Sequence, residues 1–352
     1  MRTALLLALA LILSAAPARK TTHVIWIMTD GLRWQELFQG ADFALTTKEN
    51  EFWRDTPEAR REALFPFLWS TLAHGGQIYG NRNLGSEAFV TNGLNFSYPG
   101  YNESLTGAAD PRIDSNDKKN NPNVTILEWL HNKPRYRGKV AAFAAWDVFP
   151  FIFNSTRAGF PVNAGYDPFA NLPGNRRVEL LNELKSDSPR DWDAEPFDNL
   201  TFYTTLEYLK QRKPQVLYLS LGETDEWAHA GKYAEYLRSA HRVDRYLKVL
   251  WDTLQSMREY RGVTTLIFSP DHGRGEGPQW RDHGEKIAES KYIWMAFLGP
   301  DTAPLGERSK IDAVTQSQLA ATIAALLGED YRAAVPSAGA PIADVIRVAP
   351  RP

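Results

Sequence analysis

Three Asp and three His residues stand just behind short apolar runs of the chain. Asp30 lies in Thr29-Asp30-Gly31, directly after the run 23–28. Asp225 follows the run 216–221 within Gly222-Glu223-Thr224-Asp225, and His229 comes four residues later. Asp271-His272-Gly273 follows the run 264–269, and His283 comes eleven residues after His272, in Arg281-Asp282-His283-Gly284. Asp and His are suitable ligands for a divalent metal such as Zn²⁺, at roughly 2 Å from the ion. Each carboxylate also offsets part of the ion's charge. Two such ions about 4 Å apart can clamp an in-line displacement at phosphorus, one activating the nucleophile and the other stabilising the leaving oxygen. Six side chains and a hydroxyl suit a pair of ions better than a single one. Of the seven histidines in the chain, the other four, His23, His74, His131 and His241, lack this setting and read as structural or surface residues.

The apolar runs must be the elements that position these groups. Runs 23–28, 139–145, 216–221, 264–269 and 292–298 read as buried strands. Helical spacing marks 58–73, with a break or kink at Pro66, and 200–212, 233–258 and 313–327, the last closing at Gly328. Strands alternating with helices predict a three-layer α/β/α sandwich with a mostly parallel central sheet. Ligands in such sheets sit at the carboxyl ends of the strands, where the Asp and His residues fall. The stretches 86–123 and 146–173 are rich in loop-forming or aromatic residues and are expected to be loop insertions.

The ordered series Asp30, Ser97, Asp225-x-x-x-His229, Asp271-His272, His283 resembles the metal-site signature of the alkaline phosphatase superfamily. Its nearest branch is the nucleotide pyrophosphatase/phosphodiesterase group, and the resemblance runs from residue 22 to about residue 300. That branch carries Thr or Ser followed by an aromatic residue and Pro, with Thr-Gly about ten residues on. Ser97-Tyr98-Pro99 with Thr106-Gly107 fits this frame, whereas the nearby Thr91 does not. The resemblance implies Ser97 as nucleophile, where the branch usually has Thr. It implies one metal held by Asp30, Ser97, Asp271 and His272 and another held by Asp225, His229 and His283. Both ions are expected to be Zn²⁺, with Mn²⁺ as the alternative. The implied chemistry is double displacement at phosphorus through a phosphoseryl intermediate. Relatives also use an Asn about twenty residues beyond the nucleophile to contact a phosphoryl oxygen. Asn116 matches best, with Asn120 and Asn121 as competitors. Val243-Asp244 matches a Val-Asp pair on the helix that follows the first His.

Composition narrows the field further. The chain has 352 residues, 43% hydrophobic and 23% charged, with a formal net charge of −2. These values describe a globular protein without the basic surplus of a nucleic-acid binder, so a nucleic-acid duplex is not an expected partner. There is no cysteine, which removes thiol nucleophiles and Cys metal ligands. Residues 1–18 read as a signal peptide, with Arg2, an apolar run 4–13 and small residues up to Ala18. The expectation is a secreted or periplasmic catalytic domain over 19–352, with no stable membrane span after cleavage. The sequon Asn95-Phe96-Ser97 would set a glycan beside the proposed nucleophile, which favours a bacterial periplasm.

The expected activity is hydrolysis of small phosphate esters, whether diesters or monoesters. Three alternatives remain. A sulfatase of the same superfamily would need Arg where Tyr101 stands. A phosphotransferase or phosphomutase would pass the phosphoryl group to an alcohol. A non-catalytic binding protein would be expected to have lost metal ligands.

Overall fold

A computed structural model describes residues 19–346. The signal-peptide reading of 1–18 falls outside the described residues. Ten strands occur in chain order: β1 (His23–Thr29), β2 (Gln77–Tyr79), β3 (Ala88–Phe89), β4 (Val140–Ala144), β5 (Val162–Ala164), β6 (Val216–Leu221), β7 (Thr264–Pro270), β8 (Met295–Leu298), β9 (Gly306–Glu307) and β10 (Val314–Thr315). Eight form one sheet in the order β5-β4-β6-β1-β7-β8-β2-β9, and β3 pairs with β10 in a small second sheet. Strands β5 to β7 in that order run parallel. β8 is antiparallel to both of its neighbours. This is the mostly parallel, helix-covered sheet that the alternation of elements predicts.

Period-two alternation sends the residues of each strand to opposite faces. On β1, Ile25 and Ile27 pack into one core with the helices Asp198–Arg212 and Tyr233–Ser256. Val24, Trp26 and Met28 pack into the other, with the helices Ser97–Thr106 and Leu319–Leu326. A strand buried on both faces has no polar alternation, which is why these runs read as continuously apolar.

The order β6-β1-β7 is what builds a site. Thr29 pairs with Leu221 on one side and Pro270 on the other. The next residue of each strand, Asp30, Gly222 and Asp271, therefore emerges level with the others at one edge of the sheet.

Several elements differ from expectation. The stretch 86–123 is not simply a loop: Ser97–Thr106 is a ten-residue helix with every residue buried. Its Pro falls in the first turn, where no intrahelical donor is required, Gly follows directly, and this pair masked it in the sequence. Within 146–173 lie two one-turn helices, Phe149–Ile152 and Ser155–Ala158, and the edge strand β5. Phe149, Phe153 and Phe160 are buried, so the aromatic residues there are largely core packing. The helix expected at 313–327 is confined to Leu319–Leu326, because Val314 and Thr315 pair with β3. Strand 292–298 shortens to Met295–Leu298. Gly328 follows the last helix with φ +79°, as a C-terminal stop requires.

The break at Pro66 occurs as expected. Helix Pro57–Leu64 ends there, and Leu68–Leu72 forms a π-helical turn. The freed amides of Phe67 and Leu68 both donate to Asp244, each at 2.8 Å. Asp244 is buried, and desolvation lifts its carboxyl to about 7 in spite of those two bonds. Asp244→Ala would leave two buried donors unpaired. It is expected to lower unfolding stability by about 2–4 kcal/mol, read by denaturant titration; a loss within error would show that water satisfies these amides.

Candidate active site

The six residues singled out in the sequence converge at the edge made by β6, β1 and β7. Asp30 follows β1. Asp225 and His229 lie on the short helix Glu223–His229 that follows β6. Asp271 and His272 follow β7. His283 returns on the excursion between β7 and β8. Ser97 is the first residue of its helix.

His272 stands at the centre. Its Nε2 lies 3.2 Å from Asp30 Oδ1, 3.5 Å from Asp271 Oδ2, 3.9 Å from Asp225 Oδ1 and 3.5 Å from Ser97 Oγ. Its Nδ1 lies 2.8 Å from the carbonyl of Gly273. A carbonyl only accepts, so that bond assigns the proton to Nδ1 and leaves the lone pair of Nε2 facing the carboxylates in the neutral ring. A second knot adjoins it. His229 Nε2 lies 3.0 Å from His283 Nε2 and 3.0 Å from Asp225 Oδ2. His283 Nε2 lies 3.8 Å from Asp225 Oδ1.

Acceptor thus faces acceptor where Asp30, Asp271 and His272 meet. Asp30 Oδ1 and Asp271 Oδ2 are buried and have no hydrogen-bond donor. Such groups cost free energy unless a cation joins them. Two sets have the spacing to hold a metal ion, Asp30 with Asp271 and His272, and Asp225 with His272 and His283. His229 adjoins the second set through Asp225 and His283. The donor chemistry, oxygen and imidazole nitrogen only, suits Zn²⁺ or Mn²⁺.

The titration behaviour follows from the same crowding. Burial, then the neighbouring Asp30, pushes the Asp271 carboxyl well above its usual range. Burial would depress His272, but Asp271 and Asp30 outweigh it and lift the imidazole to about 9. His283 is pushed down by burial and by His272, Arg274 and His229. Three carboxylates here face one fixed cation, Arg274, whose guanidinium donates to Asp225 Oδ1 and, at 3.2 Å, to the Asp225 carbonyl. Burial lowers the Arg274 guanidinium to about 9.

The backbone between these groups has no room to spare. Gly31 has φ +58°, and a Cβ there would sit 2.7 Å from both Asp225 Oδ1 and Arg274 Nε. Its amide donates to Asp271 Oδ1 at 3.0 Å. Gly100, near the start of the Ser97 helix, passes so close that a Cβ would lie 2.5 Å from the Asp271 carbonyl.

The remaining candidates separate. Thr91 lies away from the cluster, bonding through its Oγ1 and amide to Glu103 at 2.8 and 2.9 Å. Asn116 reaches the Ser97 helix, where its Oδ1 accepts from the Tyr98 amide at 3.0 Å and supplies the missing N-terminal cap. Asn121 is turned to Asn102 and Ile152. Arg33 pairs with Glu36 and bonds the Gly275 carbonyl. Lys118 pairs with Asp147. Sequence reading missed two close partners. Thr224 Oγ1 donates to the Asp30 carbonyl, and the Tyr101 hydroxyl donates to Asp30 Oδ2 at 3.0 Å. The position of Tyr101, four residues after Ser97, was the signal for the second, once the segment was known to be helical.

A central β-sheet that delivers carboxylates and imidazoles from three adjacent strand ends, with a hydroxyl at a helix N-terminus beside them, defines an α/β protein with a metal-type site. Comparison with known proteins narrows this. Residues 35–296 match the family model of type I phosphodiesterase / nucleotide pyrophosphatase. The fold is similar to that of wild-type alkaline phosphatase PafA (TM-score 0.59, 12% identity, covering 95% of this chain and 100% of that one). It is also similar to the phosphonate monoester hydrolase SpPMH from Silicibacter pomeroyi (TM-score 0.58, 13% identity, 94% and 78%). A third similar structure is BT1596, a 2-O GAG sulfatase (TM-score 0.57, 14% identity, 93% and 74%). No curated protein sequence matches the chain. The chain belongs to the type I phosphodiesterase / nucleotide pyrophosphatase family, and with it to the ester hydrolases of the alkaline phosphatase superfamily.

If a cation resolves the facing acceptors, Zn²⁺ must stabilise the fold. At a free concentration roughly 1,000 times its dissociation constant the gain per site is about 4 kcal/mol, seen as a higher melting temperature that EDTA reverses. Gly31→Ala should abolish most of that shift, and a wild-type melt indifferent to Zn²⁺ and Mn²⁺ would contradict the reading of the cluster.

Proposed function

We propose that this protein hydrolyses small phosphate esters at a site for two divalent metal ions, with Ser97 as the nucleophile. The observation that carries the proposal is the place of Ser97 Oγ, at a helix N-terminus and 3.5 Å from His272 Nε2, beside the facing acceptors. Asp30, Asp271, His272 and Ser97 itself would hold one ion, and Asp225, His229 and His283 the other. When bound, the ions supply positive charge that favours the serine alkoxide and offsets charge developing on the phosphoryl oxygens.

The chain's own residues do the rest. The first turn of the helix places Ser97 Oγ for attack at phosphorus, and the helix dipole favours negative charge there. Oγ gives up its proton and bonds to phosphorus as the bond to the leaving oxygen breaks, and that oxygen takes up a proton to depart as the alcohol. Water then attacks the phosphoseryl group, releasing phosphate or a phosphomonoester and returning a proton to Ser97. Asn116 uses its Oδ1 to cap the helix, which leaves its amide NH₂ to contact a phosphoryl oxygen. Tyr101 in place of Arg disfavours the sulfatase alternative, and the retention of every ligand disfavours a purely binding role. Residues 1–18 support export to the periplasm or beyond, testable by the mass of the mature chain.

Hydrolysis of p-nitrophenyl phosphate and bis-p-nitrophenyl phosphate, after EDTA and after restoring Zn²⁺ or Mn²⁺, tests the proposal. Activity should depend on the metal. Ser97→Ala should lower kcat by a factor on the order of 10³ or more while the metal-free chain still melts cooperatively near the wild-type temperature. Loss of under tenfold in Ser97→Ala would remove Ser97 from the role.

A further inference from the structure

The two oxygens of Asp30 have different partners. Oδ2 accepts from the Tyr101 hydroxyl at 3.0 Å, while Oδ1 has no donor and faces His272 Nε2 at 3.2 Å. The same hydroxyl lies 3.0 Å from Ser220 Oγ on β6. The phenol is buried and its ring is held edge-on by Phe149, with centroids 4.6 Å apart. Tyr101 sits one helical turn after Ser97, so both side chains project from one face of the helix. Between them, Gly100 rests against the Asp271 backbone without space for a Cβ.

We propose that Tyr101 is a positioning residue for the metal centre. Its hydroxyl occupies Asp30 Oδ2 and so presents Oδ1 alone to the ion. Because it rides on the helix of Ser97, it also ties the nucleophile to that ligand at a fixed offset. Asp30 rotating about its Cβ–Cγ bond would exchange its two oxygens and turn a shared lone pair away from the ion. A donor on the non-ligating oxygen removes that freedom, as hydrogen bonds behind a ligand generally do. Ser220, at the end of β6, in turn limits the hydroxyl to one orientation. The assignment rests on the two-metal reading above.

The test measures metal binding apart from turnover. Purified wild type, Tyr101→Phe and Tyr260→Phe are stripped with EDTA and titrated with Zn²⁺, and separately with Mn²⁺, against a chromophoric chelator. Tyr260→Phe is the control, since its buried hydroxyl donates to the Pro214 carbonyl at 2.9 Å, away from the cluster. Tyr101→Phe is expected to weaken one of the two metal sites by roughly 10–100-fold, leave the other as in wild type, and lower kcat with little change in KM. Tyr260→Phe should leave both sites unchanged. Equal affinities in Tyr101→Phe and wild type would overturn the positioning role alone. So would an equal loss in both variants, which would mark a general packing effect. Wild type that takes up no metal would overturn the two-metal reading itself, and the role of Tyr101 with it.

Discussion

Buried acceptors turned toward one another are the constraint on which this structure depends. Asp30, Asp271 and His272 are nearly or wholly excluded from solvent, and the carboxylate oxygens that point inward have no donor. A folded protein does not place such groups together without something positive between them. With no metal bound, Asp271 and Asp30 favour a proton on His272. A divalent cation would join these groups more completely, since each ion can engage oxygens and nitrogens that one proton cannot reach together. The topology serves this end: three parallel strands in the order β6-β1-β7 end level, and the segments just beyond them carry the charge.

The surroundings hold the cluster in that arrangement. Arg274 holds Asp225 by the oxygen that also faces His272 and His283, Thr224 holds the backbone of Asp30, and the Gly31 amide holds Asp271. Gly31 and Gly100 mark where one segment passes another too closely for a side chain. The Ser97 helix is docked by that contact, by the Asn116 cap and by the hydroxyl of Tyr101. The proposed nucleophile and ligands are thus placed by the packing of strands and helices, as a preorganised site requires.

Much of this was legible in the sequence because the physics is local. Continuous apolar runs of strand length marked β1, β4, β6 and β7, and Asp and His at their ends marked the residues that the fold brings together. What was not legible depended on distant contacts. The Ser97 helix is buried all round, with low amphipathic contrast and with Pro and Gly near its start, so it read as a loop. β2, β5 and β9 are two or three residues long and exist only through pairing with strands far away in the chain. Thr315 was read as helical, yet its register with Phe89 put it in a strand. Arg274 and Tyr101 were visible as residues, but their aim at Asp225 and Asp30 follows from the packed structure alone. Thr91 and Ser97, six residues apart, were separated by motif in the sequence and by position in the fold, where Thr91 serves Glu103.

The central claim is that two metal ions join these facing groups. Crystals of the zinc-loaded protein, with diffraction recorded on both sides of the zinc absorption edge, test it most directly. The account predicts two anomalous peaks about 4 Å apart, one contacting Asp30, Asp271 and His272 and the other contacting Asp225, His229 and His283. A single peak, or peaks only at other residues, would contradict it.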